Sequence, residues 1–158
     1  MALTQEQRTR EVERWGDMVY RLALARTASV PDAEDVFQEV FLRYFRHEEK
    51  FQSDEHRKAW LIRCTVNRAK SMAASPWRKR TVPLETAEKV GVEDDCREVY
   101  SAVLSLPGKY RAVIHLHYCE GLSVAEIAQM LQMPGGTVKS KLSRGRALLR
   151  DMLKEVEL

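Results

Sequence analysis

The sequence is poor in the features that mark disulfide-bonded, membrane-spanning and β-rich proteins. Its three cysteines are odd in number and widely spaced, which argues against a disulfide framework and favours free thiols in a reducing compartment. No apolar run approaches the roughly 20 residues of a membrane-spanning helix, and the first residues lack the pattern of a signal peptide. We therefore expect a cytoplasmic protein that does not insert into a membrane.

Alternating apolar and polar residues, the pattern of a half-buried strand, are also missing. The apolar spacing is helical throughout and predicts an all-α fold. The predicted helices cover residues 6–28, 32–46, 55–73, 93–105, 108–120, 123–131 and 135–155. Residues 75–92 carry two prolines and little periodicity, as a flexible linker does. The sequence therefore predicts two small helical domains, residues 1–74 and 93–158, joined by that linker.

Acidic residues are absent from two long stretches, although the net charge of the chain is only +3. Residues 57–80 hold eight Lys or Arg and residues 134–150 hold five, with no Asp or Glu in either stretch. Residues 85–98 show the opposite balance, six acids against two bases. Such blocks indicate separate surfaces with different partners, and the acid-free stretches favour nucleic acid.

Residues 121–150 predict two helices joined by a tight turn. Ser123 is placed to cap the first helix, with Glu126 completing a capping box, and Gly121 suits the left-handed end of the helix before it. The Pro-Gly-Gly sequence at 134–136 then interrupts the chain. This is the arrangement of a helix-turn-helix, whose second helix enters the major groove of DNA.

The second helix of this motif separates an apolar face from a cationic one. By spacing, the inward face carries Val138, Leu142, Gly145 and Leu149, and the outer face carries Thr137, Ser140, Lys141 and Arg144. Lys and Arg can meet phosphates or guanine edges, and Ser or Thr can donate to either. The alternative is an ordinary amphipathic helix with a solvated basic face, which the turn and the missing acids make less favoured.

The predicted helix at residues 32–46 has a thick aromatic stripe on one side, and Asp32 is placed to cap its start. Acidic and amide side chains surround a leucine on its other side. That outer side consists of Asp35, Gln38, Glu39, Leu42 and Arg46. An exposed leucine among such residues is common in protein-docking surfaces, and a solvated helix fits equally well.

The predicted helix at residues 55–73 carries a polar ridge of Arg63, Asn67 and Lys70, which repeat at i, i+4 and i+7. A polar loop that begins with Phe51 precedes it. A basic helix beside such a loop suits single-stranded or melted nucleic acid, to which backbone charge and base stacking both contribute. A solvated basic face is again the alternative.

His115, His117 and Cys119 form an unusual trio before the helix-turn-helix. No second cluster supplies further ligands at a zinc-site spacing, so we expect Cys119 in the core and the histidines partly exposed. The sequence also lacks an assembled nucleophile–base pair, a glycine-rich phosphate loop and a catalytic carboxylate pair. We therefore predict no catalytic residue, no cofactor and no metal site, and we rank an enzyme far below a DNA-binding protein.

Three segments occur in a fixed order: DAEDVFQEVFLR at 32–43, KAWLIRCTVNRAK at 58–70, and the helix-turn-helix with its lead-in at 106–149. Their order and spacing resemble the extracytoplasmic-function (ECF) group of bacterial RNA polymerase sigma factors, over nearly the whole chain from about residue 10. The output domains of response regulators contain a similar helix-turn-helix sequence. The N-terminal half of this chain has no strand pattern, however, and so cannot form the α/β receiver domain of a response regulator.

The resemblance implies a region-two domain at 1–74 and a region-four domain at 93–158, which together bind core RNA polymerase and promoter DNA. The polymerase contacts would be the clamp helices of the largest subunit and the flap. It implies control by an anti-sigma factor as well. The residues that match the family's clamp-docking segment are Asp35, Gln38, Glu39 and Leu42.

The resemblance also assigns two DNA surfaces. Residues for recognising and helping to melt the minus-ten element are Phe51, Ser53, His56, Arg63, Asn67 and Lys70. Residues for reading the minus-thirty-five element in the major groove are Thr137, Lys139, Ser140, Lys141, Ser143 and Arg144. The chain departs from the family pattern at Ser71, where an Asp is frequent, and at Gly145, where an Ala is usual. Glycine there costs up to about 1 kcal/mol of helix propensity, or it permits closer helix packing.

Overall fold

The computed structural model describes residues 3–47, 50–73 and 97–157. The chain divides into two compact units, Met1–Arg78 and Lys79–Leu158. Within the described ranges every regular element is helical, which confirms the all-α prediction. No helix in these ranges is long and apolar enough to cross a membrane. The predicted linker at 75–92 lies outside the described residues, so its bounds stay a prediction.

The helices match the predicted ones to within a few residues. In the first unit they are α1 (Gln5–Thr27), α2 (Val30–Arg46) and α3 (Asp54–Ala73). In the second unit they are α4 (Arg97–Ser105), α5 (Gly108–Ile114) with a π-helical turn (His115–Cys119), α6 (Val124–Leu131) and α7 (Gly135–Glu157). The predicted start of the fourth helix, at 93–96, falls outside the described residues.

The first unit is a three-helix bundle in which each helix packs against the other two. The apolar faces of all three helices meet in one core. Its fully buried side chains include Val19, Leu22, Leu24, Val36, Leu61 and Ile62. Burying a side chain of this size stabilises the fold by roughly 1.5–3 kcal/mol. The polar faces of α2 and α3 are thereby left at the surface.

The start of α2 differs from the prediction. The helix begins at Val30, two residues earlier than predicted, and Ser29 caps it by accepting a hydrogen bond from the Asp32 amide at 3.4 Å. The assignment of the cap to Asp32 was therefore wrong. Pro31 is tolerated inside the first helical turn because that turn leaves its N–H groups unpaired in any case. Asp32 lies in the same turn and is buried.

The second unit is built around the packing of α5 on α7, with α4 contacting both and α6 packing on α7. Gly145 permits the close approach of α7 to α5. A Cβ atom there would lie 2.8 Å from Ile114 Cγ1, 2.9 Å from Ile114 Cδ1 and 3.3 Å from Tyr110 Cβ. The glycine that replaces the usual alanine at position 145 therefore lies where two helices pack closely, as one of the two explanations in the sequence analysis proposed.

The end of α5 continues into the π-helical turn, where the Glu120 amide donates to the His115 carbonyl at 3.2 Å. This widened turn adds a residue and changes which side chains face inward. His115 is fully buried, whereas Cys119 is exposed. The expectation of a core Cys119 and a partly exposed His115 was therefore wrong, while His117 is partly buried and matches it.

The π-helical turn also brings two buried charges together. His115 Nε2 lies 3.2 Å from Glu120 Oε1, and both side chains are shielded from solvent. Burial lowers the pKa of His115, but hydrogen bonds and charge from Cys119 and Glu120 outweigh it and raise the pKa to about 9. The imidazole is therefore charged at neutral pH and forms an ion pair directly before the helix-turn-helix.

Candidate nucleic-acid and protein interfaces

The α6–α7 pair forms the predicted helix-turn-helix. Ser123 Oγ accepts from the Glu126 amide and Glu126 Oε1 accepts from the Ser123 amide, both at 3.1 Å, so the capping box is confirmed. Gly121 has a φ of 73°, in the left-handed region predicted for it. Gln132, the residue after α6, has a φ of 54°, and α7 begins at Gly135, the predicted start of that helix.

The inward and outward faces of α7 follow the predicted spacing. Val138, Leu142 and Gly145 are buried, and Leu149 is partly buried. The six predicted minus-thirty-five residues are all at least partly open to solvent. Exposed are Lys139, Ser140, Ser143 and Arg144, and partly exposed are Thr137 and Lys141. The accessible part of α7 up to residue 150 carries no acidic side chain, so its field favours an anionic partner.

Lys109 extends this basic surface and was not among the predicted residues. Its ammonium lies 5.1 Å from the centroid of the Tyr110 ring. Burial raises the pKa of Tyr110, but hydrogen bonds from Lys109 and Arg144 outweigh it and lower that pKa. Tyr110 therefore joins α5 to a cation of α7. Spacing along the sequence could not have revealed this, because the contact joins residues of two different helices.

The predicted ridge on α3 is accessible. Arg63, Asn67 and Lys70 are all exposed, at one helical spacing and on the side opposite the buried Leu61 and Ile62. Two cations and an amide in a row provide donors for phosphate oxygens and base edges.

Phe51 packs inside an aromatic cluster. Its ring centroid lies 4.8 Å from that of His47, and 5.8 Å from those of both Tyr44 and Trp60. The Arg57 guanidinium lies 5.2 Å from the same ring. These contacts fix the loop before α3, a role that spacing in the sequence did not reveal.

Ser53 and His56 also have partners within the unit. Ser53 Oγ accepts from the His56 amide at 3.1 Å and so caps α3, while His56 Nδ1 accepts from the Gln52 amide at 3.1 Å. Asp54 pairs with Arg57 at 2.7 Å and with Arg14 of α1. The loop predicted to meet DNA is therefore tied by these contacts to α3 and to the aromatic cluster.

The outer face of α2 presents Leu42 with 53% of its surface exposed, beside exposed Asp35 and Gln38. Glu39 differs from these neighbours because only 33% of its side chain is exposed. A large exposed leucine among acidic and amide groups fits a protein-docking surface. Within the described part of the chain, no group of three or more His, Cys, Asp or Glu is arranged to hold a metal ion.

Comparison with known families matches both units. The Sigma-70 region 2 model matches residues 12–79, and the Sigma-70 region 4 model matches residues 96–149. The first range contains the α2 face and the α3 ridge, and the second contains the helix-turn-helix.

Individual relatives agree with these matches. ECF RNA polymerase sigma factor SigE of Mycolicibacterium smegmatis is 38% identical over 154 residues, which cover 90% of this chain and 60% of SigE. SigL of Mycobacterium tuberculosis, another ECF sigma factor, is 32% identical over 149 residues, 88% of this chain and 84% of its own. The sigma factor RpoE of Bartonella quintana, solved in complex with the anti-sigma factor NepR, shares the fold. Its TM-score is 0.66 at 22% identity, over 92% of this chain and 96% of RpoE.

The matches to Sigma-70 regions 2 and 4 occur in the order that the sequence motifs predicted. The alignment with SigL covers most of this chain and most of SigL. The chain belongs to the ECF RNA polymerase sigma factors.

Proposed function

We propose that this chain joins core RNA polymerase and directs it to start transcription at specific promoters. The observation that carries the proposal is the presence of a docking face and two DNA-compatible surfaces within one member of a sigma factor family. The α2 face docks on the clamp helices of the largest subunit, and the second unit contacts the flap. The docking residues are Asp35, Gln38, Glu39 and Leu42.

The first unit recognises the melted minus-ten element. Opening a duplex costs a few kcal/mol per unstacked base, and a surface that holds the displaced strand offsets that cost. Exposed Arg63 and Lys70 meet phosphates, while Asn67 is equipped to bond a base edge. The loop that carries Phe51, Ser53 and His56 contributes a preformed wall, because its own hydrogen bonds and ring contacts already hold it.

The second unit reads the minus-thirty-five element. Its α7 places short hydroxyl donors beside long cations, a combination that suits guanine edges and phosphates in the major groove. Supporting this assignment, the accessible α7 side chains include no acid up to residue 150. The contact residues are Thr137, Lys139, Ser140, Lys141, Ser143 and Arg144.

An anti-sigma factor controls the chain in this proposal. RpoE, which shares its fold, was solved with the anti-sigma factor NepR. An inhibitor that covers the α2 face around Leu42 would block polymerase docking directly. Affinity purification of the tagged chain from its native cells is expected to recover a second small protein besides polymerase subunits. Recovery of polymerase subunits alone would contradict this part of the proposal.

Transcription by a reconstituted enzyme tests the main proposal. Core polymerase supplies the catalysis, and this chain supplies the choice of promoter. We expect core polymerase with the purified chain to give discrete run-off transcripts from promoter fragments that core polymerase alone ignores. Tight binding of the free chain to duplex DNA, without any association with polymerase, would instead identify a self-contained DNA-binding regulator.

A further inference from the structure

Glu39 is engaged within the first unit, unlike the other docking residues of α2. Its Oε1 accepts a hydrogen bond from Arg43 Nη2 at 3.1 Å. Its Oε2 pairs with Arg68 Nε, which belongs to α3. About two thirds of each side chain in the Glu39–Arg68 pair is shielded, with 33% and 34% exposed. Both oxygens of this carboxylate are therefore used inside the unit.

The seam between α2 and α3 is crowded with positive charge. Burial raises the pKa of the half-buried Cys64 thiol, and the nearby charges of Arg43 and Arg63 oppose that shift. Arg43 of α2 and Arg68 of α3 both pair with the Glu39 carboxylate at this seam. Like charges so close repel each other, so this carboxylate favours the observed packing of α3 on α2.

Arg68 lies directly beside Asn67, in the helix that carries the minus-ten ridge. We infer that Glu39 is a positioning residue for that ridge: by holding Arg68, it fixes α3 on the same helix that docks on polymerase. This inference rests on the proposed function and deepens it. The orientation of Asn67 toward melted DNA then depends on a side chain of the docking face.

The inference changes how a charge reversal at this position is interpreted. Glu39→Arg would place a further guanidinium beside Arg43 and Arg68, and so would disturb the α2–α3 seam as well as the docking face. A loss of transcription in that variant would not separate the two roles. Neutral variants of matched shape are needed.

The experiment uses holoenzymes reconstituted from core polymerase and the wild-type, Glu39→Gln, Arg68→Gln or doubly substituted chain. Binding is measured to a single-stranded oligonucleotide with the nontemplate minus-ten sequence of a promoter that the wild-type holoenzyme transcribes. All measurements are made at saturating polymerase, with the affinity for polymerase determined separately. Partly exposed ion pairs contribute modestly, so we expect each single variant to bind the oligonucleotide about two- to fivefold more weakly.

The double variant separates a positioning role from direct contacts with DNA. If Glu39 and Arg68 each touched the oligonucleotide independently, the losses of binding in the two single variants would add. Because both single changes break the same pair, the double variant is expected to bind no more weakly than the worse single variant. Asp35→Asn is the matched control, since it removes a carboxylate from the same face of α2 and leaves the pair intact. It is expected to weaken polymerase affinity alone.

Two outcomes would overturn the inference while leaving the proposed function in place. One is a Glu39→Gln holoenzyme that behaves like Asp35→Asn, with normal oligonucleotide binding at saturating polymerase. The other is strictly additive losses in the double variant.

If Glu39→Gln fails to fold by circular dichroism, Glu39→Asp carries the same test, since it keeps the charge and shortens its reach. A wild-type holoenzyme that starts transcription at no promoter fragment would instead contradict the proposed function itself.

Discussion

The two units prepare their proposed DNA surfaces in different ways. In the first unit, three of the six residues assigned to the minus-ten element are tied into it: Phe51 by neighbouring rings, and Ser53 and His56 by hydrogen bonds. The other three, Arg63, Asn67 and Lys70, are exposed on α3. In the second unit, the assigned side chains project from α7, and the buried residues of α7 hold that helix in place. A melted strand is flexible and gains from a preformed surface, whereas a duplex offers a fixed groove that a rigid helix can enter.

The largest expected effect concerns the buried ion pair that precedes the helix-turn-helix. Because the pKa of His115 is raised from 6.5 to about 9, its contribution to the free energy of unfolding is complete below pH 6.5 and is lost as the pH rises through about 9. Glu120→Gln should destabilise the second unit by about 3 kcal/mol at pH 6 and weaken this pH dependence, because Glu120 is one of the two residues, with Cys119, that raise the pKa of His115. Chemical denaturation of both proteins between pH 6 and 9.5 measures the difference. Parallel pH profiles for the two would show that the pair does not stabilise the unit.

Overpacking at Gly145 tests whether the buried side of α7 sets the position of its outer side. Gly145→Val should cost about 1–3 kcal/mol of unfolding free energy, because even its Cβ would meet Ile114 at 2.8 Å. Gly136→Ala is the matched control at the start of the same helix, where an added Cβ has nothing within 4 Å. Thermal unfolding should show a lower midpoint for Gly145→Val alone. Equal midpoints would mean that the close approach of α5 and α7 is not required.

Arg144→Ala addresses the duplex-reading side. Loss of a guanidinium that meets a guanine edge or phosphate should weaken holoenzyme binding to a minus-thirty-five duplex by about 1–3 kcal/mol. Association with polymerase should not change. Arg146→Ala removes the same charge from a neighbouring exposed position on α7 that is outside the assigned contacts. An equal loss in the Arg146 variant would indicate general electrostatic attraction and not a specific contact.

Leu42→Ala tests the docking face that serves both DNA surfaces. An apolar anchor in a docking interface contributes on the order of 1–2 kcal/mol, so the affinity for core polymerase should fall by that amount. Leu148→Ala is the matched control, an exposed leucine on α7. Fluorescence competition for core polymerase gives both affinities. Unchanged binding of the Leu42 variant would move the docking surface elsewhere on the unit.

The helices, the capping box and the two faces of α7 could be predicted because they depend on residues close together in sequence. The capping box needs only Ser123 and Glu126, and the buried α7 positions follow one helical period. The start of α2 was missed because two suitable caps, Ser29 and Asp32, stand three residues apart, and the proline between them is compatible with either.

The remaining features depend on contacts between helices, which spacing along one helix does not contain. His115, at the start of the π-helical turn, is buried against the Tyr100 ring of α4, whereas Cys119, at the end of that turn, is exposed. The Glu39–Arg68 pair joins residues 39 and 68, and each alone resembles an ordinary charged surface position. The aromatic cluster around Phe51 likewise assembles side chains of α2, the loop and α3.

The division of labour between the units is the central claim, and one crossed binding measurement tests it most directly. Wild-type, Asn67→Ala and Arg144→Ala holoenzymes are each titrated with a single-stranded minus-ten oligonucleotide and with a separate minus-thirty-five duplex. We predict that Asn67→Ala weakens only the single-strand complex and that Arg144→Ala weakens only the duplex complex. A variant that weakens both complexes equally, or the reverse assignment, would contradict the account.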